Sequence, residues 1–302
     1  MNMASFILAA SRVGLAALML FVCAGVIISQ EKIEKVEKIE KLEKLHKAEY
    51  KEKQREFCSN NWSNGDKFPA SDLREMTVPN ASTLDISSGR NGGIKVKGEN
   101  RENVLLRACI QTWGDSDEAA RALAASIKIN ASGGMIRAEG PGENGWSVSF
   151  EARVPFSTNL KLAAHNGGIS ISTVEGNLEF ETLNGGVSLM DVAGDVRGRT
   201  TNGGVNVSLS GNTWKGAGLD VSTTNGGVNL MLPASYAANI ETGTVNGGFK
   251  SDIPALNVTT EDVKSGYGHK PKQINTAING GGAPIRVTTK NGGIRIGTLE
   301  RY

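Results

Sequence analysis

The tripeptide Asn-Gly-Gly recurs at Asn91, Asn166, Asn184, Asn202, Asn225, Asn246, Asn279 and Asn291, and the longer string TTNGGVN appears twice, at residues 200–206 and 223–229. The residues around each copy keep phase. With Asn at position zero, positions −6 and −4 read Leu160/Leu162, Leu178/Phe180, Val196/Gly198, Leu219/Val221, Ile240/Thr242 and Ile285/Val287. Positions +3 and +5 read Ile169/Ile171, Val187/Leu189, Val205/Val207, Val228/Leu230, Phe249/Ser251 and Ile294/Ile296. Alternation on both sides of a turn signal predicts strand, corner, strand, with every second residue facing inward. The corner is expected to need positive φ, which Asn tolerates and Gly adopts freely. That accounts for the 38 glycines in 302 residues.

Successive corners from Asn166 to Asn246 lie 18, 18, 23 and 21 residues apart. A period near 20 marks a repeat in which each unit buries its apolar side only by stacking on its neighbours. Two all-β folds satisfy the pattern. A hairpin meander would use NG as a two-residue turn. A β-solenoid would stack the NGG corners in a column, with Asn side chains hydrogen-bonded along it. The solenoid is preferred, because near-identical strings recur at every second turn while the intervening turns drift. A Thr column at −2 (Thr182, Thr200, Thr223, Thr244, Thr289) shares the inward parity.

The array frays at both ends. Around Asn91 only Ile94 and Val96 keep phase, and Ser132-Gly133-Gly134 is a degenerate corner. Between them the capping box Asp115-Ser116-Asp117-Glu118 precedes AARALAAS, which predicts a short helix over 116–126. Residues 57–155 are therefore expected to form a mixed β cap with one helix, and 156–302 the solenoid, interrupted by a loop over 251–278.

The first 56 residues are of another kind. Residues 13–28 are an apolar run behind Arg12, and the apolar character begins at Ala4, so residues 1–30 are expected to be a signal anchor through which 4–30 meet the membrane, or a cleaved signal peptide. Either reading places the remainder outside the cytoplasm. Residues 31–56 carry five Glu-to-Lys pairs at i,i+4, from Glu31/Lys35 to Glu43/Lys47, each worth about 0.2–0.5 kcal/mol to a helix. Ile33, Val36, Ile39, Leu42 and Leu45 repeat every three residues, so their stripe drifts around that helix. A single-helix stalk is expected, with self-association as the alternative and an oligomer left open.

Composition excludes several functions. Residues 57–302 hold 23 Lys+Arg against 23 Asp+Glu, with no basic run interleaved with aromatics, so nucleic-acid binding lacks electrostatic support. His46, His165 and His269 have no second ligand at metal spacing. The coils lack the GGxGxD calcium repeat, and neither a phosphate loop nor a GxSxG elbow occurs. Glu175, Glu179, Glu181, Asp191 and Asp195 read as solvated surface acids. The chain is thus expected to be no enzyme and to use no cofactor or metal.

Cys58 and Cys109 are the two cysteines of the exported part, either bridged or as two free thiols. The outward residues Ser170, Ser172, Ser188, Asn206, Ser208 and Asn229 form the candidate binding face, uncharged and rich in hydrogen-bonding groups, suited to a glycan or an envelope protein.

The strings GLDVSTTNGGVNL, IETGTVNGG and GGAPIRVTTKNGGI resemble the Gly-rich putative adhesin domain family of bacteria, known otherwise as a domain of unknown function. The resemblance covers roughly residues 58–298. It implies a β-solenoid, extracytoplasmic placement and an adhesive role, and transfers no catalytic or ligand-binding residue. A structural or signalling part in the cell envelope, acting through the stalk, is the competing expectation.

Overall fold

A computed structural model describes residues 57–58, 66–142, 144–256 and 272–299. The anchor and stalk expected over 1–56 lie outside the described residues. Among the described residues no helix is long and apolar enough to cross a membrane.

In chain order the strands are β1 (Phe68–Val78), β2 (Leu84–Ser87), β3 (Ile94–Glu99), β4 (Val104–Gly114), β5 (Lys128–Ser132), β6 (Met135–Glu139) and β7 (Trp146–Pro155). They continue as β8 (Leu160–Asn166), β9 (Ile169–Ser172), β10 (Glu175–Asn184), β11 (Val187–Met190), β12 (Ala193–Asn202), β13 (Val205–Ser208) and β14 (Gly218–Asn225). The last are β15 (Val228–Pro233), β16 (Ala238–Asn246), β17 (Phe249–Ser251), β18 (Lys272–Ile278), β19 (Pro284–Asn291) and β20 (Ile294–Leu299). One α-helix, α1 (Asp117–Ser126), follows β4.

These strands form two ten-stranded sheets. Sheet I runs β1-β4-β7-β3-β9-β11-β13-β15-β20-β17, and sheet II runs β18-β16-β19-β14-β12-β10-β8-β2-β6-β5. From β8 to β17, and again from β19 to β20, the chain crosses from sheet II to sheet I at each NGG, and the stacked strands pair in parallel, as β10 does with both β12 and β8. The architecture is solenoid-like, and its predominance of strand agrees with the alternation in the sequence. Residues at −6, −4, +3 and +5 meet between the sheets in one continuous core, including Leu178, Val196, Val205, Leu230 and Ile285. Each such side chain, taken out of water, contributes about 1.5–3 kcal/mol.

One expectation needs correcting, and two further features of the pairing were not anticipated. Neither sheet breaks at residue 155, because β3 pairs in parallel with β9 and β2 with β8. The stretch expected as a loop over 251–278 contains a strand, β18, whose alternating Ile274, Thr276 and Ile278 pair antiparallel with β16. Coils also do not stack in chain order: β19 lies between β14 and β16, and β20 between β15 and β17.

The helix begins one residue later than its capping box suggests. Ser116 is the N-cap and accepts from Ala119 N at 3.1 Å. Asp115 instead pairs with Lys67, whose ammonium holds its carboxyl below the usual carboxylate range. At the other end the Arg74 guanidinium donates to Ile127 O and, at 2.9 Å, to Ala124 O, so a cation meets the terminal carbonyls. Ala120 and Ala124 are buried, and Ala124 joins the core at its first coils.

Candidate functional site

The repeated asparagines form one hydrogen-bonded column. Asn166 Nδ2 donates to Asn91 Oδ1 at 3.0 Å. Asn184 to Asn166, Asn202 to Asn184, Asn225 to Asn202, Asn291 to Asn225 and Asn246 to Asn291 follow in the same sense, each at 2.8 Å. Asn279 is not in this column. It follows β18 with φ of 50°, and its Nδ2 donates to Ala234 O and Tyr236 O. Its NGG fixes a turn, because the strand before it runs antiparallel and cannot present a stacked corner.

Behind the column the threonines point inward and are satisfied. Thr182 Oγ1 donates to Gly167 O and Thr200 Oγ1 to Gly185 O, each at 2.7 Å. Thr223, Thr289 and Thr244 repeat the bond to Gly203, Gly226 and Gly292. Buried hydroxyls with a carbonyl partner in the next coil cost little and tie the coils together.

The reason for the glycines differs from the expected one. None of the column asparagines has positive φ, and in the corners only Gly92 does. What demands glycine is proximity: a Cβ on Gly185 would lie 2.1 Å from Gly167 O, and one on Gly203 2.1 Å from Gly185 O. The stacked corners approach until only hydrogen fits.

The outer surface of sheet I carries the candidate face. Ser170, Ser188, Asn206 and Asn229 sit side by side in one row across β9, β11, β13 and β15. Ser188 and Asn206 are exposed, while Ser170 and Asn229 are half-buried. Asn229 Oδ1 is shielded from solvent and makes no hydrogen bond. The neighbouring row reads Ser172, Met190, Ser208, Met231, so the surface is not wholly polar, and Met190 is 51% exposed. Basic residues bound the first row, with Lys95 beside Ser170, Arg295 beside Asn229 and Lys250 beside Arg295.

Sheet II presents the opposite character. Asp85, Lys161, Glu179, Arg197, Asp220, Arg286 and Glu241 occupy one row, and the sign of charge alternates at every step. Arg286 reaches Asp220 at 3.6 Å and Glu241 at 3.4 Å, and in the next row Arg199 reaches Glu181 at 2.9 Å. Two of the acids expected to be solvated surface charges meet an arginine, Glu181 as above and Asp195 with Arg197 of the same strand at 3.0 Å. Opposite charges thus neighbour one another across this face, and Arg286, Arg199 and Arg197 each reach a carboxylate.

Along the edge opposite the asparagine column, a cavity of about 660 Å³ is lined by Thr173, Glu175, Asp191, Lys215 and Tyr236 among others. Thr173 and Asp191 hold positive φ there. Their N–H groups bond Met190 O and Ser208 O in the next coil, which offsets the strain of about 1–3 kcal/mol per residue. Tyr236 is 2% exposed, and burial pushes its phenol up to about 12. A second cavity, of about 610 Å³, lies at the Asn91 end of the column and is lined by Gly89, Arg90, Asn91, Gly142, Trp146 and His165.

Cys58 and Cys109 are joined in a disulfide that ties the start of the described chain to β4. His165 is exposed, one residue before the column asparagine, and His46 and His269 lie outside the described residues. Among the described residues no group of three or more His, Cys, Asp or Glu could hold a metal ion. Trp146 escapes sequence reasoning. Its signal is an aromatic side chain directly after a glycine-rich turn, in a chain with only 5% aromatic residues.

Among solved structures, the chain is similar to a "putative cell adhesion protein" from Clostridium sporogenes ATCC 15579, at 13% identity and TM-score 0.38, over 77% of this chain and 100% of that one. A "putative adhesin" from Bacteroides fragilis NCTC 9343 is similar at 10% identity and TM-score 0.29, over 76% and 97%. Another "putative adhesin", from Parabacteroides distasonis ATCC 8503, is similar at 8% identity and TM-score 0.28, over 75% and 97%. No curated protein matches. The Toastrack DUF4097 family pattern matches residues 70–297, which span both sheets, and the chain belongs to that family.

Proposed function

We propose that the chain is a non-catalytic, membrane-tethered and extracytoplasmic binding module. It is built as a β-solenoid with the asparagine column as its corners. The observation that carries this reading is the contrast between the two outer surfaces. Charges on sheet II alternate in sign and several pair with a neighbouring charge, whereas sheet I carries uncharged Ser and Asn side chains in register across four strands. Polar groups at a regular spacing, unsatisfied by neighbours and set on rigid strands, suit an extended ligand with its own repeat. That ligand is a glycan or an envelope protein. The Cys58–Cys109 disulfide supports placement in an oxidising compartment. Residues 4–30 would provide the membrane attachment and residues 31–56 the stalk.

The test is retention of the full-length protein on arrayed envelope and host-surface polysaccharides and on intact cells. Saturable retention that Ser188→Arg and Asn206→Arg abolish, with unchanged melting, supports the face. Retention indifferent to both substitutions overturns it.

A further inference from the structure

The asparagine column ends at a cavity, which brings Asn91 together with Trp146 and His165. At each internal step an Asn Nδ2 donates to the next Oδ1. Asn91 only accepts, from Asn166, and its own Nδ2 makes no hydrogen bond among the described residues. Beyond it the stack continues into β7, which brings Trp146 to the same cavity instead of an eighth amide. The Trp146 Nε1–H is already committed to Gly142 O at 3.2 Å, and a Cβ on Gly140 would lie 3.0 Å from Trp146 Cε2. One side of the indole is thus packed against the protein, and what the residue offers the cavity is ring surface.

His165 supplies an imidazole to the same cavity, one residue before the column asparagine. Arg90 lines it as well, within 3.4 Å of Asn144 Oδ1. Gly89 and Gly142 border it at φ of 67° and 65°, and neither would meet another atom within 4 Å if it carried a Cβ, so the turns leave the entrance open. An aromatic surface beside an unpaired amide donor and an imidazole forms a small concave site with few, fixed polar groups. A pyranose matches it: the C–H face of the sugar ring lies against the indole while hydroxyls reach the Asn91 amide and the His165 nitrogens, which donate or accept as needed.

We infer that the cavity bounded by Asn91, Trp146 and His165 is a carbohydrate subsite that takes one pyranose unit of an oligosaccharide. It is separate from the Ser/Asn face of sheet I and does not depend on that reading.

Calorimetric titration of the full-length protein with cellohexaose, chitohexaose and hexagalacturonate tests the assignment. Saturable binding of at least one probe is expected, with affinity weakened about tenfold or more, or roughly 1.4 kcal/mol, by Trp146→Ala and by His165→Ala. The His165 side chain is exposed, so that variant reports on binding even if Trp146→Ala lowers melting. Ser188→Arg and Asn206→Arg should leave this titration unchanged. Absence of saturable binding by all three sugars, or binding that both site variants leave intact, overturns the subsite. Loss caused by the sheet I variants alone overturns the subsite while leaving the face standing.

Discussion

Asn246 Nδ2 donates to Asn291 Oδ1 at 2.8 Å across 45 residues of chain, and Asn291 in turn donates to Asn225. The final NGG unit is therefore wedged between two that precede it. Charge favours this order. Asp220 and Glu241 occupy equivalent positions in β14 and β16, and stacking in chain order would set two carboxylates side by side. Insertion of β19 places Arg286 between them, at 3.6 and 3.4 Å.

Arg286→Glu should then put three acids side by side in one row. The groups are about half exposed, so the expected loss is about 1 kcal/mol, relieved by added salt. Combining it with Asp220→Arg and Glu241→Arg restores opposite charges on both sides of position 286, although a cation at 220 then faces Arg197, and should recover part of the stability. Thermal melts at low and high salt check this. A triple variant no more stable than Arg286→Glu alone would refute the charge argument.

The two glycines of each corner should differ in tolerance. At Gly203 a Cβ would lie 2.1 Å from Gly185 O and 2.5 Å from Gly185 C, both backbone atoms that cannot move without separating coils. At Gly204 the nearest atom would be Gly227 O at 3.4 Å, an ordinary contact. Gly203→Ala is expected to cost about 3 kcal/mol and Gly204→Ala less than about 1 kcal/mol, as read by chemical denaturation. Equal effects at both positions would mean that the corner selects glycine for its backbone freedom.

That distinction shows what a sequence of this type reveals. Alternation around NGG gave the strands, their inward parity and the stacking of like residues, because each is a local consequence of pleating and of identical neighbours. Why the glycines are there was not legible, since the approach of Gly185 to Gly203 exists only between coils. Asn279 carries the same tripeptide yet serves a turn, because the direction of β18 depends on pairing with β16 and not on its own residues. The signs of Asp220, Arg286 and Glu241 favour the observed order, but only their register across coils makes them neighbours. The candidate face was legible as polar, but Met190 and Met231 enter it through a neighbouring row whose alignment requires the register.

Tyr236 gives a pH test of the edge cavity. Burial raises its phenol from the ordinary 10.0 to about 12, so the folded state holds this proton more tightly than the unfolded chain does. The stability linked to this proton is fully present below pH 10.0 and is lost as pH rises towards about 12. The slope in that interval approaches about 1.4 kcal/mol per pH unit at most. Tyr236→Phe should remove it. Denaturation series across the interval, with phenolate absorbance followed in parallel, check the sign, and a wild-type slope identical to that of the variant would contradict it.

Phe180 and Gly198 face each other in register across β10 and β12, and they break the aliphatic rule of position −4 together. A Cβ on Gly198 would fall 2.1 Å from Phe180 Cε2 and 2.4 Å from its Cζ, so the ring occupies the space that the neighbouring residue forgoes. Phe180 is buried, and its truncation to Ala should cost about 3–4 kcal/mol through lost burial and the void left behind. Gly198→Val should cost about 2–3 kcal/mol by forcing the ring aside. Since each change relieves the damage of the other, a β-branched side chain filling the void left by the ring, the double variant should be more stable than the sum of the two predicts. The coupling is expected at about 1–3 kcal/mol. Strict additivity in a double-mutant cycle would mean that the ring and the glycine are not compensating partners, and that Gly198 answers to some other neighbour.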